Sequence, residues 1–161
     1  MWGVAMEARP LAVALSLGIA VWLASGAATA QAVVPEGQWL IDGKAAVQLY
    51  DCGGLLCGRI AWLVFHNPPG QRFDHDKRNP NPALRPRPLC GLTILRGLKP
   101  DGDGRWRGGS FYSPSDGRTY RVSMQMKSAD TISARFFLGA PIFGKTKTLT
   151  RVPAGAAPGE C

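Results

Sequence analysis

Beyond residue 36 the chain alternates apolar and polar positions with a period of two, in short bursts set apart by turn residues. Gly37 to Ile41 opens the series and Asp42-Gly43 follows as a tight turn signal. Lys44 to Cys52 puts Val47 and Leu49 on one side and Gln48 and Tyr50 on the other, and Cys57 to Phe65 carries Ile60, Trp62, Val64 and Phe65. Gly53 to Leu56 between them is a four-residue hairpin loop. Leu89 to Arg96 is a fourth strand, with Leu92 and Ile94 on one face, and Arg105 to Tyr112 a fifth, bent or bulged at Gly108-Gly109. The cleanest alternation sets Tyr120, Val122, Met124 and Met126 against Arg121, Ser123, Gln125 and Lys127. Ile132, Ala134, Phe136 and Leu138 then oppose Ser133 and Arg135, and Lys145 to Val152 closes the series. Eight strands in sequence, each apolar on one face, with no helical period, predict an all-β antiparallel barrel or sandwich. In an eight-stranded barrel, side chains fill the interior or leave room for one small ligand.

One segment breaks this rhythm. His66 to Pro88 holds prolines at 68, 69, 80, 82, 86 and 88, with Asp74, Asp76, Asn79 and Asn81 among Arg72, Lys77, Arg78, Arg85 and Arg87. Prolines restrict both themselves and the preceding residue, so the loop is stiff without regular structure. Two readings stay open: a lid over a barrel mouth, or an ordered surface loop with no ligand.

The start of the chain has a different pattern. Arg9 precedes an apolar run from Leu11 to Ala24, and small residues end in Ala28-Thr29-Ala30. This is the order of a secretory signal peptide with cleavage after Ala30, and the run is shorter than the roughly 20 residues needed to cross a bilayer. The expected organisation is a signal peptide over residues 1–30, a β-barrel domain over 31–152 and a flexible tail over 153–161. Hydrophobic residues make up 45% of the 161-residue chain, which excludes a disordered chain, and the length excludes a large multidomain enzyme. The formal net charge of +8 survives loss of the first thirty residues, because Glu7 and Arg9 leave together. An exported basic protein, periplasmic or secreted, meets lipid head groups, envelope polysaccharide and acidic proteins, and is shut off from nucleic acid. Once processed, it is not expected to be an integral membrane protein.

Cys52 and Cys57 flank the first hairpin loop and fit a disulfide in an oxidising compartment; the rival, a metal pair, lacks two further ligands nearby. Cys90 is either a small buried hydrophobe or the partner of Cys161. Asp74-His75-Asp76 is either a weak metal site or a solvated loop cluster. No nucleophile elbow, zinc-protease helix or phosphate loop occurs, so neither an enzyme nor a cofactor is expected.

The Gly37-x-Trp39 start is similar to the first-strand motif of lipocalins, a resemblance that implies Trp39 at one barrel end with the late Arg151 packed over it. A wider resemblance covers nearly all of residues 37–152. Leu56-Cys57-Gly58-Arg59-Ile60, Asp76-x-x-Asn79-Pro80, Arg85-x-Arg87-Pro88-Leu89-x-Gly91-Leu92, Gly108-Gly109-x-x-Tyr112-x-Pro114-x-Asp116-Gly117-x-x-Tyr120 and Phe143-Gly144-x-Thr146-x-Thr148-x-Thr150-Arg151 resemble the exported bacterial family called domain of unknown function 2147. That resemblance implies a lipocalin-like barrel with no established activity. The chain departs from the family pattern at Leu149, where an aromatic is usual, and at Ser113, where Asn is usual. The first change is expected to loosen packing at the barrel end.

The leading expectation is a barrel that binds a small apolar or amphipathic ligand. Trp62, Tyr120, Met124 and Phe136 are its candidate wall, and Arg85 and Arg87 are candidates for meeting an anionic head group. Asp76, Asn79 and Asp116 are the candidate loop residues. The alternative is a basic interaction module with a filled barrel, meeting an acidic envelope component or the membrane surface through its loop and Arg105, Arg107, Arg118 and Arg121.

Overall fold

The computed structural model describes residues 2–3, 35–63 and 75–156. The expected signal peptide, Val64, Phe65, His66, Arg72, Asp74 and Cys161 lie outside the described residues, apart from Trp2 and Gly3. The chain divides into two units, Met1–Ala30 and Gln31–Cys161, and the barrel belongs to the second.

Eight strands form it: β1 (Gly37–Ile41), β2 (Ala45–Asp51), β3 (Leu56–Leu63), β4 (Thr93–Pro100), β5 (Arg105–Ser113), β6 (Arg118–Ser128), β7 (Thr131–Phe137) and β8 (Lys145–Arg151). Each pairs antiparallel with the next, and β8 returns to β1, so the sheet closes and no edge is left open. Of the sandwich and barrel that alternation alone allows, the chain takes the barrel. Two short 3-10 turns, Pro82–Leu84 and Pro141–Phe143, interrupt the loops.

Strand four departs from its expected position by four residues. Leu89 to Leu92 is a turn closed by the Leu92 N–H on the Leu89 carbonyl at 3.0 Å; Gly91 and Leu92 already exchange backbone bonds with Ile60, and the strand itself begins at Thr93. Cys90 therefore sits in that turn, not in a strand, and is disulfide-bonded rather than a lone buried thiol. Cys52 and Cys57 are joined to each other across the β2–β3 hairpin.

Register decides which side chains face inward. Trp39, Val47, Leu49, Leu56, Leu95, Leu98, Trp106, Val122, Ile132, Ala134 and Leu149 are each at most 1% exposed. They pack against one another as one cluster, so this part of the interior is filled by its own side chains. Leu149, expected to loosen the packing, is fully buried in that core. Arg151 lies over the Trp39 ring at 4.3 Å and donates through Nη1 to the Glu36 carbonyl at 2.9 Å. Gly37 makes room for it: at φ +114° its backbone suits glycine, and a Cβ there would stand 3.1 Å from the arginine.

Candidate functional site: the mouth of the barrel

Toward one end of the barrel the inward side chains pass from buried to half-buried. The end opposite Trp39 is rimmed by the β1–β2 turn, the long β3–β4 loop, the β5–β6 turn and the β7–β8 loop. Phe111, Tyr120 and Phe136 stand there on the inward face. Phe111 pairs with the buried Leu95 and with Tyr120, and Phe136 pairs with the buried Val122. The Phe111 and Phe136 ring centroids are 4.6 Å apart, and Phe111 and Tyr120 are 6.5 Å apart. Ile41, Leu63 and Leu92 are half-buried against the same core. This aromatic floor marks the transition from filled core to partly accessible rim.

Two cations share its face. In β8, Lys145 lies opposite Phe136, Lys147 opposite Ala134, and Leu149 opposite Ile132. Directly opposed residues share a face, so both lysines belong to the inward side of the sheet. Lys147 is paired with Asp42 of the β1–β2 turn, whereas Lys145 is exposed with no ion pair among the described residues. The arrangement offers aromatic surface and one uncompensated ammonium side by side.

The described part of the β3–β4 loop is held by a buried carboxylate. Asp76 is fully buried, and Tyr112 Oη donates to its Oδ1 at 2.6 Å. Its Oδ2 accepts from Asn79 Nδ2 at 2.8 Å and from Arg87 Nε at 2.9 Å, with Arg87 Nη2 at 2.6 Å. The Arg87 guanidinium also stands 5.3 Å from the Tyr112 ring centroid. Burial would push the Asp76 carboxyl up, but the hydrogen bonds from Tyr112, Asn79 and Arg87, together with the arginine charge, outweigh it and hold the group below the usual carboxylate value. The same contacts raise Tyr112: burial first, then its bond to the aspartate and the aspartate's charge. Asn79 turns its amide oxygen to the Asn81 N–H, and Arg85 Nε donates to the Asn79 carbonyl at 2.9 Å. Nearby, Tyr120 Oη donates to Asp116 Oδ2 at 2.5 Å, and Asp116 Oδ1 accepts from the Arg118 N–H.

The residue pattern and the fold agree with what is known of similar sequences. Residues 37–151 match the profile of a family described as an uncharacterized protein conserved in bacteria (DUF2147). The chain belongs to this family. It is also similar to the solved structure of protein HP1028 from the human pathogen Helicobacter pylori, described as belonging to the lipocalin family. That likeness has 26% sequence identity and a TM-score of 0.65, over 74% of this chain and 83% of the other. No curated protein matches the sequence. The lipocalin-like barrel of this DUF2147 member thus rests on sequence and on shape together.

The candidates named from the sequence separate into three groups. Tyr120 is half-buried at the mouth, whereas Phe136 and Met124, 7% and 3% exposed, both belong to the buried core, Phe136 nearer the mouth. Asp76, Asn79, Arg85 and Arg87 come together in one network, with Asp116 apart from it on the β5–β6 turn. Arg87 spends its charge on Asp76 and Arg85 is tied to a carbonyl, so this pair is engaged within the loop. Trp62 faces away from the interior. A bulge shifts the register between Ala46 and Val47, so Ile60 faces inward opposite Val47 while Trp62 falls opposite Ala46 on the outer side. Its indole donates to Gln38 Oε1 at 3.0 Å. Sequence reasoning missed Phe111, Tyr112, Lys145 and Lys147. The signal for the lysines was present: Lys145, Lys147, Leu149 and Arg151 form one period-two series.

Proposed function

We propose that this protein works outside the cytoplasm and binds, at the mouth of its barrel, a small amphipathic molecule with an anionic head. The apolar part lies against Phe111, Tyr120 and Phe136, and the head meets Lys145, with Lys147 behind it. One observation carries the reading: an aromatic floor and a lysine with no ion pair among the described residues share the inward face at the end of the barrel opposite Trp39. The lipocalin-like barrel is consistent with such a role, and the Cys52–Cys57 disulfide suits an oxidising compartment. The Asp76-tied loop would be the fixed part of the rim, because both Asp76 oxygens already accept bonds and the Asn79 amide nitrogen already donates to Asp76 and Tyr112.

The test is titration with laurate and with anilinonaphthalene sulfonate, read by fluorescence and by amide shifts. Saturable binding that weakens about tenfold in a Lys145→Ser/Lys147→Ser double variant is expected, the scale of one charge-assisted hydrogen bond. Binding indifferent to both lysines, or no saturable uptake of either probe, would overturn it.

The filled lower interior favours a second reading, in which the barrel is a scaffold and its basic exterior meets a soluble acidic component of the envelope. That contact would weaken steeply with added salt, measurable with polyglutamate as the partner.

A further inference from the structure

The β7–β8 hairpin is unlike the rest of the surface. Its connecting loop exposes three large apolar side chains, Leu138 at 51%, Ile142 at 78% and Phe143 at 83%. Exposed apolar residues are common singly, but three on one tip are not explained by leftover surface. Nor is the tip a loose strand of chain. Arg135 reaches back into it and holds it at three points, through Nε to the Pro141 carbonyl at 2.8 Å, Nη2 to the Ile142 carbonyl at 3.1 Å and Nη1 to Thr146 Oγ1 at 2.8 Å. All three acceptors are neutral, so the guanidinium keeps its charge while fixing the loop.

The surroundings are cationic. From Thr131 to Gly159 the sequence contains no acidic residue, yet it carries Arg135, Lys145, Lys147 and Arg151. Beside the tip, the outer face of β5–β7 forms an open groove of about 660 Å³ lined by Arg107, Arg121, Arg135, Phe137, Pro141 and Thr146, among others. Arg107 is compensated by Asp101, but Arg121 is exposed and has no ion pair among the described residues. An apolar tip beside cations that have no ion pair among the described residues is complementary to a surface that is apolar beneath and anionic at its boundary.

We infer that the β7–β8 loop docks this protein on anionic phospholipid bilayers, with Ile142 and Phe143 entering the acyl boundary and Arg121 and Arg135 meeting the head-group phosphates. The inference names a partner for the basic exterior and does not depend on a ligand in the mouth.

The experiment is sedimentation of the full chain with vesicles of phosphatidylcholine alone or mixed equally with phosphatidylglycerol, with hydrogen exchange of the bound protein. Binding to the mixed vesicles, with added protection confined to the peptide around residues 138–145, is expected. An Ile142→Ser/Phe143→Ser variant should lose at least about tenfold in partitioning, and Arg121→Glu should weaken binding to mixed vesicles only. Both substitutions fall on exposed positions, so an unchanged far-ultraviolet spectrum is expected and is checked first. Equal binding to neutral vesicles, an apolar variant that binds as the parent does, or protection elsewhere with none at the tip would each overturn the inference. Polyglutamate separates this from the soluble-partner reading: the apolar variant should keep polyglutamate binding while losing vesicles, and loss of both would count against a bilayer-specific contact.

Discussion

At the scale of single residues, Asp76 does the most to define this protein. A carboxylate with no solvent contact is costly unless fully bonded, and here both oxygens are occupied by tyrosine, asparagine and arginine. Replacing it with Ala strands an arginine, a phenol and an amide together, and should cost about 2–4 kcal/mol in urea unfolding. The pH dependence has a definite sign. Asp76 is depressed in the folded state relative to 3.8, so its contribution is complete above that value and is lost as pH falls through the lower folded value. Wild-type stability should therefore drop on acidification below 3.8, and Asp76→Asn, already weaker at neutral pH, should show a shallower drop. Tyr112 works from the alkaline side: raised above 10.0, it contributes below that pH and its contribution fades as pH climbs through the folded value. Composition and spacing picked out Asp76 and Asn79 as loop residues, but not what they bond to. Tyr112 lies 36 positions from Asp76 in the chain, and only the fold brings it near.

At the scale of elements, the long loop and the β5–β6 hairpin act as one piece. Gly117 sits at φ +71° beneath the loop, and a Cβ there would fall 2.0 Å from the Arg78 carbonyl oxygen, backbone against backbone. Gly117→Ala should therefore lift the loop off the hairpin and cost several kcal/mol, more than a left-handed alanine alone would. The expected reading is loss of amide-exchange protection over residues 76–88, with the sheet preserved. Alternation located seven of the eight strands closely because one face of each is apolar and the other polar. It failed where backbone irregularity resets the phase. The bulge beside Val47 moved Trp62 to the outside, and the turn at Leu89–Leu92 moved strand four along the chain. The irregularity at Gly108-Gly109 was legible, but its effect, turning Phe111 inward, was not.

At the scale of the whole molecule, closure of the sheet and filling of its interior were separable questions. The family-wide motifs spoke to closure. Filling depends on how side-chain volumes meet across the barrel, which periodicity does not report. Leu149 is the instructive position: it is fully buried in the core cluster, at the place where the family resemblance led to the expectation of an aromatic. Leu149→Phe should thus cost about 1–3 kcal/mol through overpacking, measured by thermal or urea unfolding. A gain in stability would mean that the barrel end has slack.

Because β1 and β8 lie side by side, with the Val152 amide bonded to the Gln38 carbonyl, the barrel's first and last strands leave from a common point beneath Trp39. A short linker joining these two ends, with new termini cut at Gly53-Gly54, should give a circularly permuted barrel with the same rim. That junction lies at the pole farthest from Phe111 and Lys145, so the linker leaves the opening untouched.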